Sequence, residues 1–108
     1  AISAVRDDTM IYKEPLPDNK MIQVTFELPS SIWAERVNLV GDFNDWDTTR
    51  DEMRQSRADG KWRITLTLPR GREYEFRYLV NGRDWHNDWH ADKYRPNRFN
   101  TDNSVVCT

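Results

Sequence analysis

Apolar and polar side chains alternate almost throughout three stretches of this chain. A period of two admits strands and excludes helices. In MIQVTFEL, residues 21–28, Ile22, Val24, Phe26 and Leu28 share one face, and Gln23, Thr25 and Glu27 share the other. In KWRITLTL, residues 61–68, Trp62, Ile64, Leu66 and Leu68 alternate with Lys61, Arg63, Thr65 and Thr67. In EYEFRYLV, residues 73–80, Tyr74, Phe76, Tyr78 and Val80 alternate with Glu73, Glu75 and Arg77. Half-buried antiparallel strands carry this pattern. A fourth strand is expected around Val37, Leu39 and Val40, another at SVVC (104–107), and a short edge strand within DEMRQS (51–56). Asp59-Gly60, Asn81-Gly82 and Pro69-Arg70-Gly71 supply turns between them. The expected fold is all-β, an antiparallel β-sandwich of immunoglobulin-like type.

Within that frame, SSIWAER (30–36) offers one helical turn with Ser30 or Ser31 as N-cap. Residues 1–14 read as a partly ordered leader or linker, and 15–108 as the sandwich domain. Residues 83–103 read as a long polar connection dotted with aromatics. Connections of that length in a compact domain are usually functional or disordered.

Sixteen basic against eighteen acidic residues give a net charge of −2. That balance argues against a nucleic-acid module or a polybasic membrane anchor. No apolar run approaches the ~20 residues of a membrane-spanning helix. Cys107 is the only cysteine, and the opening AISAVRDD has no apolar h-region. Together these favour a reducing compartment, the cytoplasm.

Catalysis finds little footing. Glycoside hydrolysis needs two carboxylates at a set separation, and Asp42, Asp45, Asp47, Asp84 and Asp88 are turn aspartates with no pair singled out. His86 and His90 bracket Asp88, but in a loop, where their four-residue spacing does not align two metal ligands. DFNDWD lacks the glycine of a calcium loop. Cys107 has no activating neighbour in sequence. The expectation is a module without catalysis, metal or cofactor.

Five tryptophans in 108 residues need an account. Trp62 keeps strand parity and belongs to the core. Trp33 precedes a strand and is expected to close one end of the sandwich. Trp46, Trp85 and Trp89 follow no strand pattern and lie among Asn, Asp, Arg and His. Either they cap the sandwich ends, or they form a flat platform for a ligand with an apolar face and a polar edge. A sugar ring is such a ligand.

Three motifs in order, VNLVGDFNDWD (37–47), DGKWRITLTLPRGREYEFRYLVNGRDW (59–85) and NSVV (103–106), resemble carbohydrate-binding module family 48. That family includes the early-set domains of isoamylases and branching enzymes and the glycogen-binding domain of the AMP-activated protein kinase β-subunit. The resemblance covers residues 20–107. It implies a β-sandwich that binds α-1,4-glucans such as glycogen, starch or maltooligosaccharides. It also implies site residues: Trp46 and Trp85 as stacking platforms, Arg77 as a hydrogen-bonding cation, and Phe99, Thr101 and Asn103 before the last strand. This sequence departs from the family pattern in Asp84, which lengthens the hairpin-to-Trp85 spacing, in Phe99 for Leu and in Arg77 for Lys. The alternative within the same fold is a packing domain without sugar affinity, set against a catalytic domain or a protein partner.

Overall fold

The computed structural model describes residues 9–88, 90–99 and 101–108. Among the described residues nine strands are formed: β1 (Met10–Pro15), β2 (Met21–Leu28), β3 (Val37–Gly41), β4 (Arg54–Gln55), β5 (Trp62–Pro69), β6 (Glu73–Val80), β7 (Asp84–His86), β8 (Lys93–Pro96) and β9 (Asp102–Cys107). One antiparallel sheet runs β1-β2-β5-β4, and the other runs β3-β6-β9-β8 with β7 on β6. The fold is therefore the expected all-β sandwich. No helix of the described residues is long and apolar enough to cross a membrane.

The alternation decides which faces meet. Val24, Phe26, Phe76 and Tyr78 are completely buried, with Ile22, Leu28, Trp62, Leu68, Tyr74 and Val80 around them. Phe76 lies edge-on to both Phe26 (5.1 Å between centroids) and Tyr78 (5.7 Å), the arrangement that ring quadrupoles favour. Phe43 dips in from the turn after β3 and meets Phe26 at 5.9 Å and Tyr74 at 6.0 Å. Burying each such ring contributes roughly 2–3 kcal/mol by transfer of apolar surface.

Residues 51–55 switch sheets. The Leu39 amide donates to the Asp51 carbonyl (2.8 Å) and the Met53 amide to the Val37 carbonyl (2.8 Å). At the next residue the chain has joined β5, with Arg54 opposite Arg63 and Gln55 opposite Trp62. This crossing closes one side of the sandwich. On the opposite side, Lys13 of β1 reaches Asp92 before β8, at 2.6 Å.

Strand β6 organises the second sheet. One edge pairs with β3 from Phe76 to Val80. The other edge pairs first with β9, from Glu73 to Phe76, and then with β7, from Tyr78 to Val80. Arg77 stands where the partner changes. The Asn87 side chain patches the seam: its Nδ2 donates to the Asp102 carbonyl (2.8 Å), and its Oδ1 accepts from the Ser104 amide (3.1 Å).

Met10–Pro15, within the segment expected as a partly ordered leader, is a strand paired along β2, while residues 1–8 lie outside the described residues. Three local expectations are corrected. Residues 83–103 are not one long connection, because β7 and β8 form within them. Residues 30–36 form a turn and irregular chain instead of a helical turn. There Ile32 and Ala34 pack on the core, so parity sends Trp33 outward, and it is 94% exposed. The end it was expected to close is closed by those two neighbours.

A candidate carbohydrate-binding groove

The turn after β3 sets the first wall. Gly41 must be glycine, because a Cβ there would sit 2.4 Å from the Glu75 carbonyl oxygen and 2.7 Å from Phe76 Cβ. Asn44, fully buried, then pins the turn. Its Oδ1 accepts from the Gly41 amide (3.1 Å), and its Nδ2 donates to the Leu39 carbonyl (2.9 Å) and to Asp51 Oδ2 (2.7 Å). Asp45 and Trp46 follow with φ of 56° and 59°. Left-handed backbone is unusual for a bulky residue, and strain of this kind concentrates at functional sites.

That backbone turns Phe43 into the core and Trp46 out of it. The indole is also fixed at its edge. Trp46 Nε1 donates to Asp42 Oδ1 (2.9 Å), and Asp42 Oδ2 accepts from the Glu75 amide of β6 (2.8 Å). A half-exposed aromatic face is thus locked in place from two directions.

The second wall is Trp85, at the centre of β7. It pairs with Leu79 of β6, and therefore shares the outer face of the sheet with Arg77 and Glu75. The hairpin joining β6 and β7 has Asn81 and Gly82 at φ of 54° and 67°, and the Arg83 amide donates to the Val80 carbonyl at 3.1 Å. Two left-handed residues in a row match the right-handed twist of the paired strands.

The third wall is the β8–β9 loop, built around Asn97. Asn97 Oδ1 accepts from the Phe99 amide (2.9 Å), and its Nδ2 donates to Thr101 Oγ1 (2.8 Å) and Asn103 Oδ1 (3.1 Å). Its amide donates to the Thr101 carbonyl at 2.8 Å. Phe99 is held at the loop tip, 73% exposed, with the Arg98 guanidinium 5.3 Å from its ring centre. Asn103 Nδ2 donates to Glu75 Oε1 (3.1 Å) and ties the loop to β6.

Between these walls lies one open groove of about 740 Å³, lined by Trp46, Arg77, Trp85, Phe99, Thr101 and Asn103, and also by Asp42, Glu75, Asn97 and Arg98. The volume falls in the range of sites for small organic ligands. All six residues singled out in the sequence share this surface. Four others were missed, because Asp42, Glu75, Asn97 and Arg98 look like ordinary turn and strand polar residues. Arg77 is the uncommitted group: its Nε is buried without a hydrogen-bond partner among the described residues. Trp89 lies outside the described residues.

The histidine loop is arranged for support. Asp88 is fully buried. Its Oδ2 accepts from the Tyr78 hydroxyl (2.6 Å) and its Oδ1 from the His90 amide (2.7 Å). Burial pushes its carboxyl above the ordinary range, against the pull of those donors. His90 Nδ1 lies 3.0 Å from Thr9 Oγ1, and His86 is exposed on β7. Among the described residues no three His, Cys, Asp or Glu side chains converge as a metal-binding group.

Residues 15–95 match the family described as carbohydrate-binding module 48 (isoamylase N-terminal domain). The chain is also similar to proteins called 1,4-alpha-glucan branching enzyme GlgB. It is 49% identical over 49 residues to that of Shewanella sp. (strain W3-18-1), covering 42% of this chain and 7% of the relative. It is 42% identical over 59 residues to that of Shewanella sp. (strain MR-4), covering 51% and 8%. For Mesorhizobium japonicum the figures are 40% over 53 residues, 45% and 7%. The chain thus spans under a tenth of the length of these relatives. The family match takes in most of the sandwich, including β3, its turn and the β6–β7 hairpin, and the chain belongs to the carbohydrate-binding module 48 family.

Proposed function

We propose that this module binds α-1,4-glucans without catalysis, through stacking on Trp46 and Trp85. The observation that carries the reading is the groove itself, which two indoles on separate elements share with an arginine whose buried Nε has no hydrogen-bond partner among the described residues. The ligand class fits the chemistry: a glucose ring offers a C–H face to an indole and a rim of hydroxyls to Arg77, Thr101 and Asn103. Phe99 adds a third apolar contact, from the loop. The relatives named as branching enzymes of 1,4-alpha-glucan support the same class.

Two stacked rings contribute ~3–5 kcal/mol from apolar burial. Association and ordering consume much of that, so short sugars bind weakly and polymers bind by repeated engagement. The role is adhesion: the module holds a polysaccharide near whatever it is attached to.

Native electrophoresis with glycogen in the gel tests this. Wild type is expected to be retarded, and Trp46→Ala and Trp85→Ala each to run as in a glycogen-free gel, with folding confirmed by near-UV circular dichroism. Wild type that migrates identically with and without glycogen overturns the proposal and favours a packing domain.

A further inference from the structure

Trp33 lies outside the groove, and nothing in the groove explains it. It is the most exposed large apolar side chain among the described residues, at 94%. The loop that carries it is nevertheless firmly held. Ile32 and Ala34 pack on the core on either side. The Ile32 carbonyl accepts from Trp62 Nε1 (3.4 Å), and Asn81 Oδ1 accepts from the Glu35 amide (2.8 Å) and the Arg36 amide (3.3 Å). A rigid loop with a displayed indole has already met the ordering cost that weakens most contacts.

Its company is polar. Ser30, Ser31, Glu35 and Arg36 are exposed around it, and its two apolar neighbours face inward. A protein interface needs roughly 800 Å² per partner with an apolar centre, and a lone indole among serines and charges does not supply that centre. It does match a sugar ring, which needs one flat face and hydroxyl partners.

Its position is tied to the groove. Asn81, which anchors the Trp33 loop, opens the turn of the hairpin that carries Trp85. Along this path the Cα atoms of the two tryptophans are no more than about 25 Å apart. We propose that Trp33 is an outlying contact for the same α-glucan chain, engaged by long chains that leave the groove past the β6–β7 hairpin. This rests on the groove binding α-glucan. A single indole face is too weak to hold a free sugar, so Trp33 acts only on a chain already held at Trp46 and Trp85, where the effective concentration is high.

The test is titration calorimetry of wild type, Trp33→Ala and Trp46→Ala against maltotetraose and against a long linear maltodextrin, with thermal unfolding of each variant. Trp33→Ala is expected to match wild type on maltotetraose and to weaken roughly 3- to 10-fold on the long chain, a gain of the size expected for one added tethered contact. Trp46→Ala is expected to lose binding to both. Trp33→Ala equal to wild type on both ligands, while Trp46→Ala loses binding, overturns the outlying contact and leaves the groove standing. Equal weakening on both ligands also overturns it, since the effect then acts through the hairpin. Wild type that binds neither ligand overturns the groove reading together with this one.

Discussion

At the scale of single residues, Asn44 and Asp42 decide where Trp46 points. Neither announces itself in sequence, since Asn and Asp are the commonest turn residues. The motif G-D-F-N-D-W identified Trp46 through a family resemblance, whereas the reason for its pose is a hydrogen-bond arrangement that only coordinates display. Asn44→Ala leaves the Gly41 amide and Leu39 carbonyl without partners at a buried site. It is expected to cost about 2–4 kcal/mol, read by chemical denaturation, and to weaken glucan binding because the left-handed turn at Asp45 and Trp46 loses its pin. Trp33 carries the opposite lesson. Its place before a strand suggested a cap, but the alternation of Ile32, Trp33 and Ala34 settles the face it takes, and that parity was already present in the sequence.

At the scale of elements, β2 to β6 and β9 were legible in the sequence, and β1, β7 and β8 were not. Strands β2, β5 and β6 bury one face each, so their period is visible. Strands β7 and β8 are exposed along their length. Their side chains carry no period because they have no core to face, and they exist as strands by pairing with β6 and β9. Strand β1 was hidden for the same reason, with four of its six residues exposed. The loop between β8 and β9 depends on Asn97, which holds Phe99, Thr101 and Asn103 in one arrangement. Asn97→Ala is expected to change the melting temperature by only a few degrees, because the loop is outside the core. It is expected to lower glucan affinity roughly 3- to 10-fold through lost preorganisation, measured by calorimetry.

For the whole molecule, pH acts through carboxylates shifted in opposite directions, of which Glu73 and Asp88 are examples. Lys93 and Arg95 hold Glu73 down to about 2 from the ordinary 4.5. A lowered folded value means that this contribution is complete above pH 4.5 and is lost as pH falls through about 2. Asp88 is the reverse: burial raises its value above the ordinary 3.8. Its contribution is complete below that value and is lost as pH rises through the raised one. Glu73→Gln is therefore expected to lower the melting temperature near pH 7, with the gap to wild type closing as pH approaches 2. The gap at neutral pH should also shrink in 0.5 M salt, because the Glu73 pairs are exposed. A gap that stays constant from pH 7 to 2 counts against the ion-pair assignment.

The division of one edge of β6 between β9 and β7 has an evolutionary consequence. The walls of the groove hang on a common strand but are separate pieces of chain, and only the turn after β3 sends a ring, Phe43, into the core. Lengthening the β6–β7 hairpin or the β8–β9 loop would respace the tryptophan and phenylalanine contacts while every buried ring kept its neighbours. Binding preference and foldability can thus drift independently in this domain. Relatives that share its interior are free to differ in the shape of chain they accept.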